Sequence, residues 1–232
     1  ILFTSPVSGV VSAINRGEKR KLLNVAVEPD KKQQMKELKV VNPAKAERSE
    51  IVEMLLASGL WTRIVERPFG VIANPDAKPK AIFVSAFDSA PLAPDYNFML
   101  KGEKAEIEAG MQLLARLTDG KVHLSARKDD EGFMAEVKGV EYHTFSGKHP
   151  AGNVGVQIHH IDRIAKGDIV WTVNIQDVAA IGRLFATGKV DLTKVIALTG
   201  SEVEKPQYYR IISGAPVSSI VAGQIKKQAE GD

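Results

Sequence analysis

The stretch Ala81-Ile82-Phe83-Val84 decides the fold, because four successive apolar residues are typical of a strand that is buried on both faces of a sheet. A helix is expected next, over residues 103–117, where Ile107, Met111 and Leu114 recur at helical spacing. A buried strand that leads into an amphipathic helix predicts a layered α/β fold.

The flanking sequence continues this alternation. Asn42 and Pro43 mark the start of a helix over 44–58, and Gly59 marks its end. Further strands are predicted at 122–126, 135–143, 169–174 and 195–199, a further helix at 176–187 before Gly188, and Gly120 is expected to end the helix that begins near residue 103. The pattern predicts an α/β domain with a mostly parallel sheet.

The sequence patterns at the two ends of the chain differ from the alternation of strands and helices in its middle. Residues 2–27 read as short β-strands of a small all-β unit, and the charged segment 28–39 has the composition of a connector. The last segment, 208–221, predicts a strand and then a short helix that starts near Pro216. Because the first residue, Ile1, already lies in a strand-like sequence, we expect the chain to be a fragment of a longer protein.

The amino-acid composition excludes several classes of function for this chain. The chain has 232 residues, of which 44% are hydrophobic, and its net charge of +3 comes from 31 basic and 28 acidic residues. This balance is typical of a globular protein and gives no indication of nucleic-acid binding. The absence of cysteine removes disulfides, thiolate nucleophiles and iron-sulfur ligands. No apolar run approaches the roughly 20 residues of a membrane span.

Ligands of α/β sheets bind beyond the carboxyl ends of the strands, so the loops after Val84, Ala126, Asn174 and Thr199 are the natural candidates. None of these loops carries the G-x-G-x-x-G dinucleotide fingerprint, and the chain has no G-x-x-x-x-G-K-[ST] phosphate loop. The sequence therefore gives no support for a nucleotide site of either type.

The stretch 145–160 contains several residues of types that commonly bind ligands. It contains the loop Ser146-Gly147-Lys148-His149-Pro150-Ala151-Gly152-Asn153-Val154-Gly155, followed by Val156-Gln157-Ile158-His159-His160. Glycines permit close backbone approach to a ligand, and Lys148 offers a positive charge to an anion. The alternative interpretation is a plain turn before a strand. A metal site is not predicted, because His149, His159 and His160 lack H-x-x-x-H or H-x-H spacing and no cysteine supports them.

Other polar residues have structural interpretations. Asp88 directly follows the buried strand, where capping of the next turn is favoured over contact with a ligand. Asp162 and Arg163 are interpreted as a surface ion pair, and Trp171 as a core residue inside an apolar strand. No serine lies in a G-x-S-x-G motif, so no catalytic residue is predicted.

Several strings together resemble the NqrA family, the A subunits of the bacterial sodium-translocating NADH:quinone reductases. They include His149-Pro150-Ala151-Gly152 and Trp171-Thr172-Val173-Asn174-Ile175-Gln176-Asp177-Val178, with further matching strings at 3–11, 14–17, 58–62, 67–69, 86–88, 91–93 and 205–206. The strings run in order along most of the chain. The family is related to the flavoprotein subunit of respiratory complex I and to RnfC.

The resemblance implies three units. Residues 1–30 would be part of a biotin/lipoyl-like β unit, 31–200 a Rossmann-like α/β domain, and 201–232 the start of the connection to an SLBB-type domain. The complex I relative has a glycine-rich flavin loop and a cysteine-bound cluster, and this chain has neither a comparable loop nor any cysteine. The resemblance therefore implies a scaffold that carries no Fe-S cluster and no covalent flavin.

For function, the resemblance implies a peripheral subunit on the cytoplasmic side of the bacterial inner membrane, which is associated with quinone reduction and docks on the membrane-embedded B subunit. Alone, the chain is expected not to be catalytic. The residues expected to contact quinone or a partner are Lys148, His149, Pro150, Gly152, Asn153 and Gly155, with donors from His149, Lys148 or the backbone N–H groups of 152–155. The alternative is a free-standing flavin- or nucleotide-binding α/β enzyme that uses loop 146–155 as an anion site.

Overall fold

A computed structural model of the chain describes residues 1–129 and 132–226. The strands are β1 (Gly9–Arg16), β2 (Leu22–Pro29), β3 (Val65–Arg67), β4 (Val71–Ile72), β5 (Ile82–Ser85), β6 (Val122–Arg127), β7 (Glu141–Phe145), β8 (Val170–Asn174), β9 (Thr193–Leu198) and β10 (Gln207–Ile212). The helices are α1 (Arg48–Ser58), α2 (Tyr96–Met99), α3 (Lys104–Ala115), α4 (Val154–Ile161), α5 (Ile175–Thr187) and α6 (Val217–Val221). Within the described ranges, no helix combines the length and apolar character that crossing a membrane requires.

A six-stranded sheet in the order β4-β3-β8-β5-β6-β7 forms the centre of the molecule. β8, β5, β6 and β7 run parallel, whereas β3 pairs antiparallel with β8, and β4 pairs antiparallel with β3. Ile82, Phe83 and Val84 of β5 are all at most 1% exposed. The mostly parallel α/β sheet and its buried central strand are therefore confirmed.

One side of this sheet, which we call the covered face, carries Ile82, Val84 and Leu124 and packs against α1, α3 and α5 in one large apolar cluster. Helices α3 and α5 contact each other closely because glycine occupies the crossing. A Cβ added to Gly182 would lie 1.9 Å from the carbonyl oxygen of Glu106, a distance that no side chain tolerates. The apolar residues predicted at helical spacing in 103–117 are therefore buried in the apolar cluster between the sheet and its helices.

The opposite side, which we call the open face, carries Phe83 and Val170 and packs against α4 alone among the helices described here. Val154, Ile158 and Ile161 of α4 face this layer, and their spacing is that of one helix face. The alternative interpretation of loop 146–155 as a plain turn before a strand is wrong in its second part, because Val154–Ile161 is helical. Both histidines lie in the last turn of α4 and are exposed.

Within the first 30 residues, β1 and β2 form an antiparallel hairpin over residues 9–29, and this part of the all-β prediction is confirmed. Leu2-Phe3-Thr4 is not a strand, and β2 continues to Pro29, into the segment that was expected to be a connector. The Thr4 hydroxyl donates a hydrogen bond to the Ser58 carbonyl oxygen at 2.6 Å, so the chain before the hairpin is tied to the end of α1.

β9 and β10 form a second antiparallel hairpin outside the central sheet. The strand predicted at 195–199 is confirmed, but its place in the parallel sheet is wrong, because its partner is β10. The strand and short helix predicted in 208–221 are confirmed as β10 and α6. Arg183 on α5 pairs with Glu103 at 2.8 Å and with Asp191 at 2.9 Å, which joins α5 to the start of α3 and to the loop before this hairpin.

Several predicted boundaries shift. α1 begins at Arg48 rather than at 44, because Asn42 caps a separate turn, in which its Oδ1 accepts the Ala44 N–H at 2.9 Å. The strand predicted over 135–143 is wrong in its first half, where Phe133–Glu136 is a 3₁₀ turn and β7 begins only at Glu141. α3 ends at Ala115, ahead of the expected Gly120.

The predicted C-terminal stops of the other two long helices are confirmed. Gly59 and Gly188 end α1 and α5 in the left-handed conformation, with φ of 78° and 71°. Trp171 is confirmed as a core residue, since it is fully buried with its ring edge-on to Trp61 at 5.5 Å between centroids.

Candidate functional site

The largest opening near the predicted site lies at the carboxyl ends of β5 and β8, on the open face. It is a cleft of about 760 Å³, which we call the main cleft. Its floor comes from Val65, Arg67 and Thr172 on the antiparallel pair β3 and β8, and one wall comes from the first turn of α4. The other wall is formed by the segment after β5 and by Tyr96 of α2. The strand direction thus brings four separate chain segments together at one edge of the sheet.

A second cleft of about 540 Å³ adjoins the first one. Phe87, Asp88 and Tyr96 line both clefts and form the partition between them, and Arg127 borders the second cleft from the end of β6. The Arg127 guanidinium lies 5.9 Å from the centroid of the Phe87 ring, so this cation is held over an aromatic face.

The predicted loop residues divide between the cleft and the surface. Gly152, Asn153 and Gly155 line the main cleft. Lys148, His149 and Pro150 are exposed and border neither of these two clefts. The structure thus separates an exposed crest, residues 148–150, from an inner segment, residues 152–155.

Ser89 connects the loop to the segment after β5. Its Oγ accepts the Gly152 N–H at 2.8 Å and lies 3.3 Å from Nδ1 of His149. A Cβ on Gly152 would lie 2.4 Å from the backbone nitrogen of Ser89, so glycine is needed for this close approach. The two loops therefore form one packed wall of the site.

Two of the backbone donors expected to face a ligand are already used. The Gly152 N–H donates to Ser89, and the Asn153 N–H donates to the Pro150 carbonyl oxygen at 2.8 Å. These two N–H groups are therefore not available to a ligand in the main cleft.

The acidic groups of the main cleft are engaged as well. Asp88 Oδ1 accepts the Ala90 N–H at 2.8 Å, which confirms that this residue caps the turn after β5. Asp177 is 7% exposed and pairs with Lys194 at 3.0 Å and with Arg63 at 3.9 Å. Both carboxylates thus have partners inside the protein.

Tyr96 presents a hydroxyl to the same space. Burial raises the pKa of this hydroxyl above its usual value, and the charges of Asp88 and Asp177 raise it further, while a hydrogen bond with the Asn174 side chain lowers it. The net pKa shift is upward, so Tyr96 is a neutral phenol that can donate a hydrogen bond at physiological pH.

Arg67 differs from every other charged group of the cleft. Across residues 1–129 and 132–226, its guanidinium forms no hydrogen bond or ion pair. Nη2 of Arg67 lies 3.3 Å from the position that a Cβ on Gly155 would occupy, so the guanidinium reaches the wall formed by α4. A partly buried cation therefore stands in the cleft without a partner.

The histidines do not assemble a metal site. Among the residues that the structure describes, no group of three or more His, Cys, Asp or Glu side chains is placed to hold a metal ion. His123 and His143 face each other on β6 and β7 with 3.0 Å between Nδ1 and Nε2, and His123 stacks on Phe83. Burial is the main cause that lowers the pKa of both imidazoles.

The expected ion pair of Asp162 with Arg163 is wrong. Asp162 pairs instead with Lys80 at 2.6 Å, and the Arg163 guanidinium donates to the His159 carbonyl oxygen at 3.3 Å. Lys80 also meets Asp168 at 3.2 Å, so this cluster joins the end of α4 to the start of β5.

Sequence reasoning missed Arg63, Arg67, Tyr96 and Asp177 as residues of the cleft. Arg67 lies on a three-residue antiparallel strand and Tyr96 on a four-residue helix, and neither element has a periodic signal. The sequence did indicate the position, since the segments after Val84 and Asn174 were expected to lie at the edge of the sheet and both border the main cleft, although helix α5 and not a loop follows Asn174.

The fold places the chain among α/β proteins with an open, mostly parallel sheet. A solved structure of this type is the crystal structure of an NAD+-reducing [NiFe]-hydrogenase in the air-oxidized state. The TM-score is 0.53 over 79% of this chain and 40% of that chain, and the sequence identity is 14%. This likeness concerns the fold alone.

Sequence comparison identifies the family. Residues 1–30 match the NqrA N-terminal barrel-sandwich hybrid domain, 46–190 the NqrA second alpha/beta domain, and 195–230 the NQRA C-terminal domain. The chain is 42% identical to the A subunit of the Na(+)-translocating NADH-quinone reductase of Neisseria meningitidis serogroup A and 42% identical to that of Serratia proteamaculans, over 97% of its length in both cases. The chain belongs to the NqrA family. It spans about half the length of these relatives, 51% in each.

Proposed function

We propose that the chain is part of the A subunit of a Na+-translocating NADH:quinone reductase and that it works only within the assembled complex. The observation that carries this proposal is the identity of about 40% to relatives with that name, sustained over 97% of the chain. The A subunit would serve the quinone reduction step, and no catalytic residue is assigned to this part of it.

The proposal includes a location and a partner. NqrA would lie on the cytoplasmic side of the bacterial inner membrane and dock on the membrane-embedded B subunit. Support comes from the exposed crest 148–150, where Lys148 and His149 project from a loop that Ser89 holds in place. A fixed loop with polar side chains suits contact with a protein surface better than a mobile loop does, because less conformational entropy is lost on binding.

The inner segment of the same loop would contribute to a quinone contact. Gly152, Asn153 and Gly155 line the main cleft, whereas Lys148, His149 and Pro150 would face a partner. We further propose that the chain carries no Fe-S cluster and no covalent flavin. The lack of cysteine supports the first of these statements.

The proposed domain division is a β unit over 1–30, a Rossmann-like domain over 31–200 and the connection to an SLBB-type domain over 201–232. The parallel order β8-β5-β6-β7 supports a Rossmann-like relationship. The pairing of β9 with β10 favours placing the second boundary before Thr193. A free-standing enzyme with an anion site on loop 146–155 has weaker support, because the Gly152 and Asn153 N–H groups are engaged within the loop region.

Substitution of the crest in the full complex tests the proposed docking. Lys148→Ala and His149→Ala should reduce assembly or quinone turnover, because they remove polar contacts from an exposed loop without touching the core. Assembly is measured by co-purification with the B subunit, whereas NADH-driven reduction of an artificial acceptor serves as the control for the remainder of the complex. His159→Ala, in an exposed position on α4, is the matched control variant. Normal assembly and normal quinone turnover in both crest variants would reject the role of the crest.

A further inference from the structure

The main cleft has a distinctive balance of hydrogen-bonding groups. Its carboxylates, Asp88 and Asp177, already accept hydrogen bonds or ion pairs from the protein. Its guanidinium at Arg67 has no partner in the part of the chain that the structure describes. The unpartnered guanidinium of Arg67 therefore favours a ligand that brings a hydrogen-bond acceptor to this part of the cleft.

Arg67 is a strong hydrogen-bond donor in the lining of the main cleft. A guanidinium carries five N–H donors in a fixed plane and cannot lose its charge. A partly buried cation without a partner is unfavourable, and an oxygen atom of a ligand would relieve that cost. Gly155 leaves room for this group, because a Cβ there would approach Nη2 of Arg67 to 3.3 Å.

Tyr96 supplies a second donor from a different element. Its hydroxyl is neutral at physiological pH, since burial raises its pKa. The Asp95 side chain caps α2 by accepting the N–H groups of Asn97 and Phe98, which fixes the helix that carries Tyr96. Tyr96 on one wall and Arg67 on the floor thus line the same cavity.

Part of the remaining lining is apolar and offers contact surface to a flat apolar ring. Val65, Phe87, Val154, Val156 and Val173 contribute apolar surface around the two donors. The volume of about 760 Å³ lies inside the range of roughly 300–1,000 Å³ that is usual for small-molecule sites. A quinone headgroup has an apolar ring and carbonyl oxygens that only accept hydrogen bonds, which matches this lining.

We infer that Arg67 and Tyr96 are the residues that bind the quinone headgroup, through hydrogen bonds from the guanidinium and the phenol to its carbonyl oxygens in the main cleft. This inference rests on the proposed function and moves the quinone contact away from Lys148 and His149. The exposed crest then serves docking, and the cleft behind it serves the substrate.

The test uses the full-length protein in the assembled complex and a water-soluble quinone with a short tail. Arg67→Gln should raise the KM for quinone about tenfold or more, because a hydrogen bond from a charged group is lost. Tyr96→Phe should raise it about two- to tenfold, because only a neutral hydroxyl is removed. Arg163→Gln is the matched control, since this arginine is exposed and lies beyond the far end of α4.

Three readouts separate binding from structural damage. Co-purification with the other subunits and NADH-driven reduction of an artificial acceptor should match wild type in all variants, whereas KM for quinone should change only in Arg67→Gln and Tyr96→Phe. If Arg67→Gln fails to assemble, Tyr96→Phe decides alone, because it retains the packed ring. An unchanged KM in an assembled Tyr96→Phe complex together with an unchanged or unmeasurable Arg67→Gln would overturn the inference. Failure of the wild-type protein to co-purify would instead reject the proposed function.

Discussion

The two faces of the central sheet are built from the same strands but have opposite surroundings. On the covered face, Ile82 and Val84 of β5 lie in one large apolar cluster with α1, α3 and α5. On the open face, Phe83 of the same strand packs in a much smaller cluster, with α4 as its helix. The strand residues are buried on both sides, so the difference lies in the helices and not in β5.

This contrast indicates how one sheet provides both stability and a site. The covered face excludes water and holds mostly apolar side chains in its cluster. The open face carries His123, which stacks on Phe83, and the main cleft, which Arg67 and Thr172 line together with the first turn of α4. Partial cover leaves room for polar groups and for a ligand.

The largest effect is expected for truncation on the covered face. Phe185→Ala removes a fully buried ring of α5, and the loss of free energy of unfolding should be about 3–5 kcal/mol, because the transfer and cavity terms add. Phe69→Ala is the matched control, since this ring is 71% exposed. Denaturant titration of both variants measures the difference. Equal losses for the two would contradict the assignment of the core.

A smaller, pH-dependent effect is expected on the open face. Burial lowers the pKa of His123 and His143 below the ordinary value of 6.5, and His123 is lowered further by the charge of His143. The neighbouring charges are the ion pair of Lys121 with Glu141, and Asp162. As the pH falls through 6.5, the unfolded chain takes up protons at these sites before the folded chain does. Stability should therefore be fully present above 6.5 and should fall as the pH drops below it.

Unfolding free energies measured at pH values above and below 6.5 test this dependence. His143→Gln should flatten the slope, because it removes one of the two imidazoles that face each other at 3.0 Å. His159→Gln, at an exposed position of α4, should leave the slope as in wild type. A slope that His143→Gln leaves unchanged would show that this pair does not control the acid sensitivity.

The covered face was predictable from sequence because its signals are local. The run 81–84 and the spacing of Ile107, Met111 and Leu114 specify a buried strand and an amphipathic helix without knowledge of their partners. Gly188 likewise marks the end of α5, because it adopts the left-handed conformation that glycine permits.

The open face was harder to predict because tertiary contacts decide it. α4 has only eight residues, and its apolar positions Val154, Ile158 and Ile161 become a helix face through contact with Phe83 and Val170. β9 was predicted correctly as a strand, but it pairs with β10, the next strand along the chain, and not with a strand of the central sheet. Strand existence is a local property, whereas sheet membership is not.

The residues of the candidate site could likewise be predicted only in part, because tertiary contacts bring them together. The glycines of loop 146–155 drew attention to the edge of the sheet where the main cleft lies, and Gly152, Asn153 and Gly155 line this cleft. Arg67 and Tyr96 come from short elements whose sequence carries no indication that they meet. Their common position results from strand order, which only the folded chain displays.

The most direct test of a quinone contact in the main cleft is crosslinking of a photoreactive quinone to the full complex, followed by identification of the labelled peptide. We predict label on this chain within 62–67, 87–96 or 152–156, the segments that form the floor and walls of the main cleft, with protection by excess unlabelled quinone. Label found only on other subunits, in a complex that turns over quinone normally, would contradict the account.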